Sequence, residues 1–149
     1  MTGATAGPAP LPPDSYELAE ARGYSLTASD LRRWHPFSAI EIQWARKHGL
    51  SADVARRWAR EGVGVRDAVR AVRFRMAPEQ VRPWAAAGFV PADAVEAAEA
   101  GMTLAEAAAW LRVGFILPDA ALLVRDGWTL AEAAAARFAG VDRYSPAGR

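Results

Sequence analysis

The sequence has no cysteine and only two histidines, His35 and His48. The first absence excludes disulfides and thiol chemistry. Two histidines without cysteine, and without a carboxylate at a known ligand spacing, make a poor zinc site, so no metal is expected. No apolar run is long enough to span a bilayer, and no segment resembles a signal peptide. We therefore expect a cytoplasmic protein that has no membrane partner.

Groups that carry catalysis are also scarce. The glycines never cluster as they do in a phosphate-binding loop. Ser38 and Ser51 lack a histidine–acid constellation that could activate them as nucleophiles. The sequence therefore predicts a protein that is not an enzyme and that needs no cofactor.

What the chain does contain is an internal repeat of 13 residues. Residues 89–140 stack as FVPADAVEAAEAG, MTLAEAAAWLRVG, FILPDAALLVRDG and WTLAEAAAARFAG. Each unit opens on a large apolar residue, has an acid at the fifth place and alanine at the sixth, and ends on glycine. Such a period is typical of repeat architectures.

Residues 102–114 show the physical chemistry of one unit. Thr103 and Glu106 have the spacing of a capping box that opens a helix. Gly114 can adopt the left-handed conformation that ends it. In such an ending the next residue packs on the third-last helical residue, so Phe115 is predicted to contact Trp110. The acids at the fifth place are explained by capping, which leaves little support for a catalytic carboxylate pair.

The fold class predicted from these units is all-α, an α-solenoid of tandem short helices. A continuous helix would turn each unit about 220° out of phase with the last, so the chain must break at every unit. Trp58, Trp84 and Trp110 recur 26 residues apart, with small or aliphatic residues at the same place of the intervening units. We interpret this as pairing into 26-residue helical hairpins, with the three tryptophans in the core. Trp34 and Trp44 are off this register and are expected to be partly exposed.

The predicted organisation is a flexible tail at residues 1–13, a repeat domain at 14–141 and a short polar tail at 142–149. Gly23 and Tyr24 are expected to end one unit and open the next. Pro36 should stop a helix in place of glycine, and Pro83 should kink or split its unit. The joint at Arg75, where glycine is also missing, is expected to be the least regular.

Charge is distributed unevenly along the chain. Residues 22–82 carry a net charge of +7, whereas the residues that follow carry −3. Arginines recur at helical spacing within the basic part, with Val65, Val69 and Val72 predicted on the buried face of the same helix. The candidate partner-binding residues are Arg56, Arg57, Arg60, Arg66, Arg70 and Arg73.

The leading function predicted from these features is a non-enzymatic scaffold or adaptor that binds another protein with an acidic surface. The first alternative is nucleic-acid binding through the basic N-terminal half. The second is a structural protein that self-associates by stacking its terminal repeats end to end.

Overall fold

The computed structural model of this protein describes residues 12–140, and this part of the chain is all-helical, as predicted. Helices make up 68% of it, and it contains no strand. The ten α-helices are α1 (Ser15–Gly23), α2 (Ala28–Trp34), α3 (Ala39–Lys47), α4 (Ala52–Arg60), α5 (Val65–Arg73), α6 (Arg82–Ala86), α7 (Pro91–Glu99), α8 (Leu104–Arg112), α9 (Leu117–Arg125) and α10 (Leu130–Phe138). A 3₁₀-helix, Pro78–Val81, directly precedes α6. The tail predicted at 142–149 and residues 1–11 of the tail predicted at 1–13 lie outside the described residues.

The chain forms two compact units, Met1–Arg57 and Trp58–Arg149. In the first unit, α1 contacts α2 and α3. In the second unit, α7 contacts α5 and α9, and α8 contacts α7 and α9. Helices two apart in the chain therefore lie side by side in both units. The single repeat domain at residues 14–141 stays a prediction.

Capping boxes open the helices where the sequence predicts them. In α8 the backbone N–H of Glu106 donates to Thr103 Oγ1 at 3.2 Å, and Thr103 N–H donates to the Glu106 carboxylate at 2.8 Å. The boxes at the starts of α1, α3 and α10 are equally complete. A further box, Thr27 with Asp30, was not predicted. The Thr27 N–H, which donates to the Asp30 carboxylate, is the main cause that holds the pKa of Asp30 below its usual value.

The ends of α1 and of α3 to α9 share one hydrogen bond. The N–H of the residue that opens a unit donates to the carbonyl of the residue five places earlier, as from Met102 to Ala97 at 2.8 Å and from Phe115 to Trp110 at 3.1 Å. This is the long-range bond of a Schellman ending. The Phe115 and Trp110 rings meet edge to face, with centroids 5.1 Å apart, which confirms the predicted contact.

The predicted register of the first units is wrong by two residues. Gly23 belongs to α1, and the left-handed residue is Ser25, whose φ is 58°. The residue five places after Ala21 is Leu26, whose N–H donates to the Ala21 carbonyl at 2.8 Å, and Leu26 rather than Tyr24 is the buried residue that opens the next unit. The unit from Leu26 to Pro36 is thus shorter than the others, and α2 is correspondingly a short helix. Pro36 stops it as predicted, since His35 is extended, with ψ at 134°.

The corrected register explains the tryptophans. Trp58, Trp84 and Trp110 are 1%, 8% and 4% exposed, which confirms them as core. Trp44 is partly exposed, as predicted. Trp34 is only 5% exposed, so that prediction was wrong. Counted from Leu26, Trp34 occupies the ninth place of its unit and belongs to the same series.

Alanine occupies the ninth place in the helices between the tryptophan-bearing ones. Ala21, Ala45, Ala71 and Ala97 are all 0% exposed. A methyl side chain lets neighbouring helices approach closely, which fits the contacts between α1 and α3 and between α5 and α7. The alternation of tryptophan and alanine therefore matches two kinds of helix environment.

The middle of the second unit departs from regular helix in the way the prolines predict. Pro83 splits its unit into the 3₁₀-helix and the five-residue α6, within whose first turn it lies. The joint at Arg75 keeps the usual bond, from Met76 N–H to the Ala71 carbonyl at 3.1 Å. The joint that was predicted to be irregular therefore has the regular hydrogen bond, so that prediction was wrong. The bond forms because Arg75 adopts the left-handed conformation that glycine adopts in other units, with φ at 55°.

Between residues 12 and 140, no single helix has both the length and the hydropathy of a membrane span. Helices α8 and α9 reach these values only as a pair, and the chain bends by 112° between them.

Candidate interaction surface

The six candidate arginines fall on two consecutive helices. Arg56, Arg57 and Arg60 lie on α4, and Arg66, Arg70 and Arg73 lie on α5. Arg56 and Arg70 are half-buried, whereas the other four are exposed.

Arg56 is directed towards the end of α2. Its Nε donates to the His35 carbonyl at 3.0 Å, its Nη2 donates to the Arg33 carbonyl, and its Nη1 lies 3.1 Å from the Asp53 carboxylate. Because Pro36 stands where other units have glycine, α2 ends without the usual Schellman bonds. Arg56 satisfies two carbonyls there, so its guanidinium is engaged within the chain.

Arg70 lies at the centre of an ionic cluster on α5, α7 and α9. Its guanidinium is 3.0 Å from Asp67, 2.7 Å from Glu96 and also paired with Glu99. Arg125 on α9 contacts Glu96 at 3.3 Å and Glu99 at 3.4 Å. The hydrogen bond that Arg70 donates to Glu96 is the largest of several causes that raise the pKa of Arg70 above its usual value. The cluster joins three neighbouring helices, so the guanidinium of Arg70 is engaged in contacts within the second unit.

Arg60, Arg66 and Arg73 are exposed, and all three belong to the second unit. Arg66 and Arg73 are seven residues apart, which places them on one side of α5, two turns from each other. Arg57 is also exposed, but it is the last residue of the first unit. We define the basic surface as Arg60, Arg66 and Arg73.

The buried face of α5 is shorter than predicted. Val65 and Val69 are 3% and 5% exposed, as expected. Val72 is 46% exposed, and so is the following Phe74, at 47%. Apolar side chains thus accompany the arginines on the surface at the end of α5.

A cavity of about 470 Å³, which the sequence did not predict, opens next to this end of α5. Phe74, Arg75 and Met76 line one side of it, and Trp84 and Met102 line another. The only feature of the sequence that pointed to this region was Arg75, at a place where other units have glycine. That feature was interpreted as an irregular joint and not as a cavity. A second cavity, of about 490 Å³, lies between α9 and α10, and its lining includes Phe115, Trp128 and Arg137.

The two histidines have separate surroundings. His48 packs on the Trp44 ring, with centroids 4.5 Å apart, whereas His35 is exposed at the end of α2. In the part of the chain described, no three acidic or histidine side chains are grouped so that they could hold a metal ion. The acids at the fifth place act mainly as caps, and burial raises the pKa of one of them, Asp93.

Comparison with models of protein families, with curated proteins and with solved structures yields no match to this chain.

Proposed function

We propose that this protein is a non-enzymatic helical-repeat scaffold that binds an acidic segment of another protein through the basic surface. The observation that supports this most is the mixed character of the end of α5. Exposed Arg73 stands between exposed Val72 and Phe74 in the chain, and exposed Arg66 lies two turns earlier on the same side of α5 as Arg73. Protein interfaces combine apolar anchors with arginine in this way.

The local composition favours a protein partner over nucleic acid. Residues 66–82 carry five arginines and two acids, a net charge of +3. Glu61 is paired with Arg82 at 2.7 Å in the same unit. A surface that binds phosphates is dominated by cations and polar groups, whereas the aliphatic Val72 and the acidic Glu61 accompany the cations of this unit.

We also propose that the helices of each unit stack as a solenoid built from hairpins. Support comes from the contacts between helices two apart in the chain, α1 with α3, α5 with α7 and α7 with α9. The ionic cluster around Arg70 would then fix the register between successive hairpins, because its members come from three such helices. Repeats of this kind touch only their neighbours and expose an extended surface to partners.

The proposal is tested by reversing the charge of the basic surface. Arg60→Glu/Arg66→Glu/Arg73→Glu should reduce the capture of acidic proteins from a lysate by about tenfold or more, because like charges across an interface repel. Surface changes usually stay within about 0.5 kcal/mol each, so the variant should remain folded. Captured proteins are quantified by mass spectrometry, and circular dichroism checks the fold.

The matched control reverses three exposed cations of the first unit, Arg32→Glu/Arg33→Glu/Lys47→Glu. Equal capture by the parent and both folded variants would contradict the proposal. Binding of duplex DNA by the parent, with a slope of about −0.9 in log affinity against log salt for each phosphate neutralised, would favour nucleic acid instead. Concentration-dependent light scattering would favour the self-associating structural protein.

A further inference from the structure

The cavity beside α5 has the size and lining of a site for an apolar side chain. Its volume of about 470 Å³ falls within the range of ligand pockets. Met76 and Met102, two of the three methionines in the chain, line it together with Trp84 and Leu104. Methionine is flexible and polarizable, and it is common at surfaces that adapt to different apolar partners.

Arg75, at the rim, adopts a backbone conformation that is unfavourable for it. Its φ is 55°, and seven glycines of the described chain adopt a similar positive φ at the equivalent turns. A residue with a Cβ pays for this region sterically, and such outliers concentrate at functional sites. Glycine would serve the turn better, so the arginine side chain itself needs an explanation.

Phe74, which precedes Arg75, is the second residue of this turn that lines the cavity. The equivalent place varies between turns, from alanine in Ala87 and Ala100 to an aromatic ring in Tyr24. Phe74 is 47% exposed and lines the cavity, so core packing does not account for a large aromatic side chain here. A strained cation and an exposed aromatic residue thus meet at one cavity.

The charge around the cavity indicates the chemistry of its occupant. Arg75 is the one cation among the described residues that line the cavity, and these residues include no acid. We propose that the cavity receives one large apolar side chain of an acidic protein segment, whose carboxylate pairs with Arg75. This inference rests on the proposed function, of which it names the anchor site.

The test selects peptides on the full chain from a random library displayed on phage. Selected peptides should combine a large apolar residue with flanking acids. In fluorescence polarisation with a labelled selected peptide, Phe74→Ala and Arg75→Gly should each weaken binding by about tenfold, the usual scale of an anchor residue. Replacing the apolar residue of the peptide by alanine should have the same effect.

Two matched variants serve as controls. Leu111→Ala removes an apolar side chain of similar exposure, 43%, that does not line the cavity, and Arg112→Gln removes an exposed arginine of α8. Neither should change peptide affinity. Arg75→Gly should keep or raise the melting temperature, so that a loss of binding cannot be attributed to unfolding.

The outcomes separate the cavity from the proposed function. In one outcome, acidic peptides bind Phe74→Ala and Arg75→Gly as tightly as the parent but lose affinity for Arg60→Glu/Arg66→Glu/Arg73→Glu. That result would overturn the assignment of the cavity and would still support the basic surface as the binding site. Selected peptides without acidic residues would overturn both. If duplex DNA displaces the labelled peptide, and if binding of that DNA depends on Phe74 and Arg75, the site is assigned to nucleic acid. This result would also overturn the inference.

Discussion

Arg75 occupies a turn in which glycine would be more stable than arginine. Its left-handed φ of 55° is one that glycine adopts without steric cost. No helix depends on its side chain, since the Schellman bond of this turn runs between backbone atoms of Met76 and Ala71. Replacing Arg75 by glycine is therefore expected to raise the stability of the fold and to weaken the binding of the partner.

We expect Arg75→Gly to raise the free energy of unfolding by up to about 1 kcal/mol, because relief of the left-handed strain exceeds the extra entropy of glycine in the unfolded chain. Arg57→Gly, inside α4, should instead lower it by about 1 kcal/mol. Urea denaturation of both variants measures the difference. A loss of stability at Arg75 as large as that at Arg57 would contradict the assigned backbone conformation.

The arginines also show where residue-level prediction from sequence fails. Helical spacing correctly placed Arg66 and Arg73 on one exposed side of α5. The same spacing could not reveal that Arg70 is paired with Glu96 and Glu99, because those acids come from a helix 26 to 29 residues later in the chain. Nor could it show that Arg56 completes the end of α2, since that contact depends on how the first unit packs.

At the scale of helices and turns, much of the fold followed from local chemistry. Capping boxes, terminal glycines and the effect of Pro83 all act within one unit, so their spacing in sequence is sufficient to predict them. The first units were placed two residues out because Gly23 lies a multiple of 13 residues from the later glycines by coincidence. The turn forms at Ser25 instead, where Leu26 can bury its side chain.

The turns differ in how closely neighbouring helices approach them. A Cβ at Gly62 would lie 3.1 Å from Pro91 Cγ, at the start of α7, whereas a Cβ at Gly101 would meet nothing within 4 Å. Both glycines have a left-handed φ, of 78° and 75°. The two sites thus share the backbone cost of a substitution and differ in the packing cost.

Gly101→Ala should cost about 1 kcal/mol of stability from the backbone alone, and Gly62→Ala should cost about 1 kcal/mol more from the contact with Pro91. Thermal or urea unfolding measures both. Combining Gly62→Ala with Pro91→Ala should reduce the excess, as a double-mutant cycle reports. Equal costs at the two glycines would mean that α7 does not approach this turn.

For the whole molecule, the alternation of tryptophan and alanine at the ninth place is the feature that sequence and structure share most fully. From α1 to α8 it assigns every second helix a tryptophan in the core and the other helices an alanine. The cavity beside α5 could not be predicted in this way. It depends on the 3₁₀-helix that replaces part of a regular unit, and on side chains from four separate segments.

Function at this scale depends on whether the basic surface and the cavity contact a partner together. Photo-cross-linking tests this directly, with p-benzoylphenylalanine in place of Phe74 or, as a control of similar exposure, Leu111. We predict covalent adducts with an acidic protein from position 74 but not from 111, and their loss when Arg60, Arg66 and Arg73 are changed to glutamate. Equal adducts at both positions, or adducts at 74 that persist in the charge-reversed protein, would contradict the account.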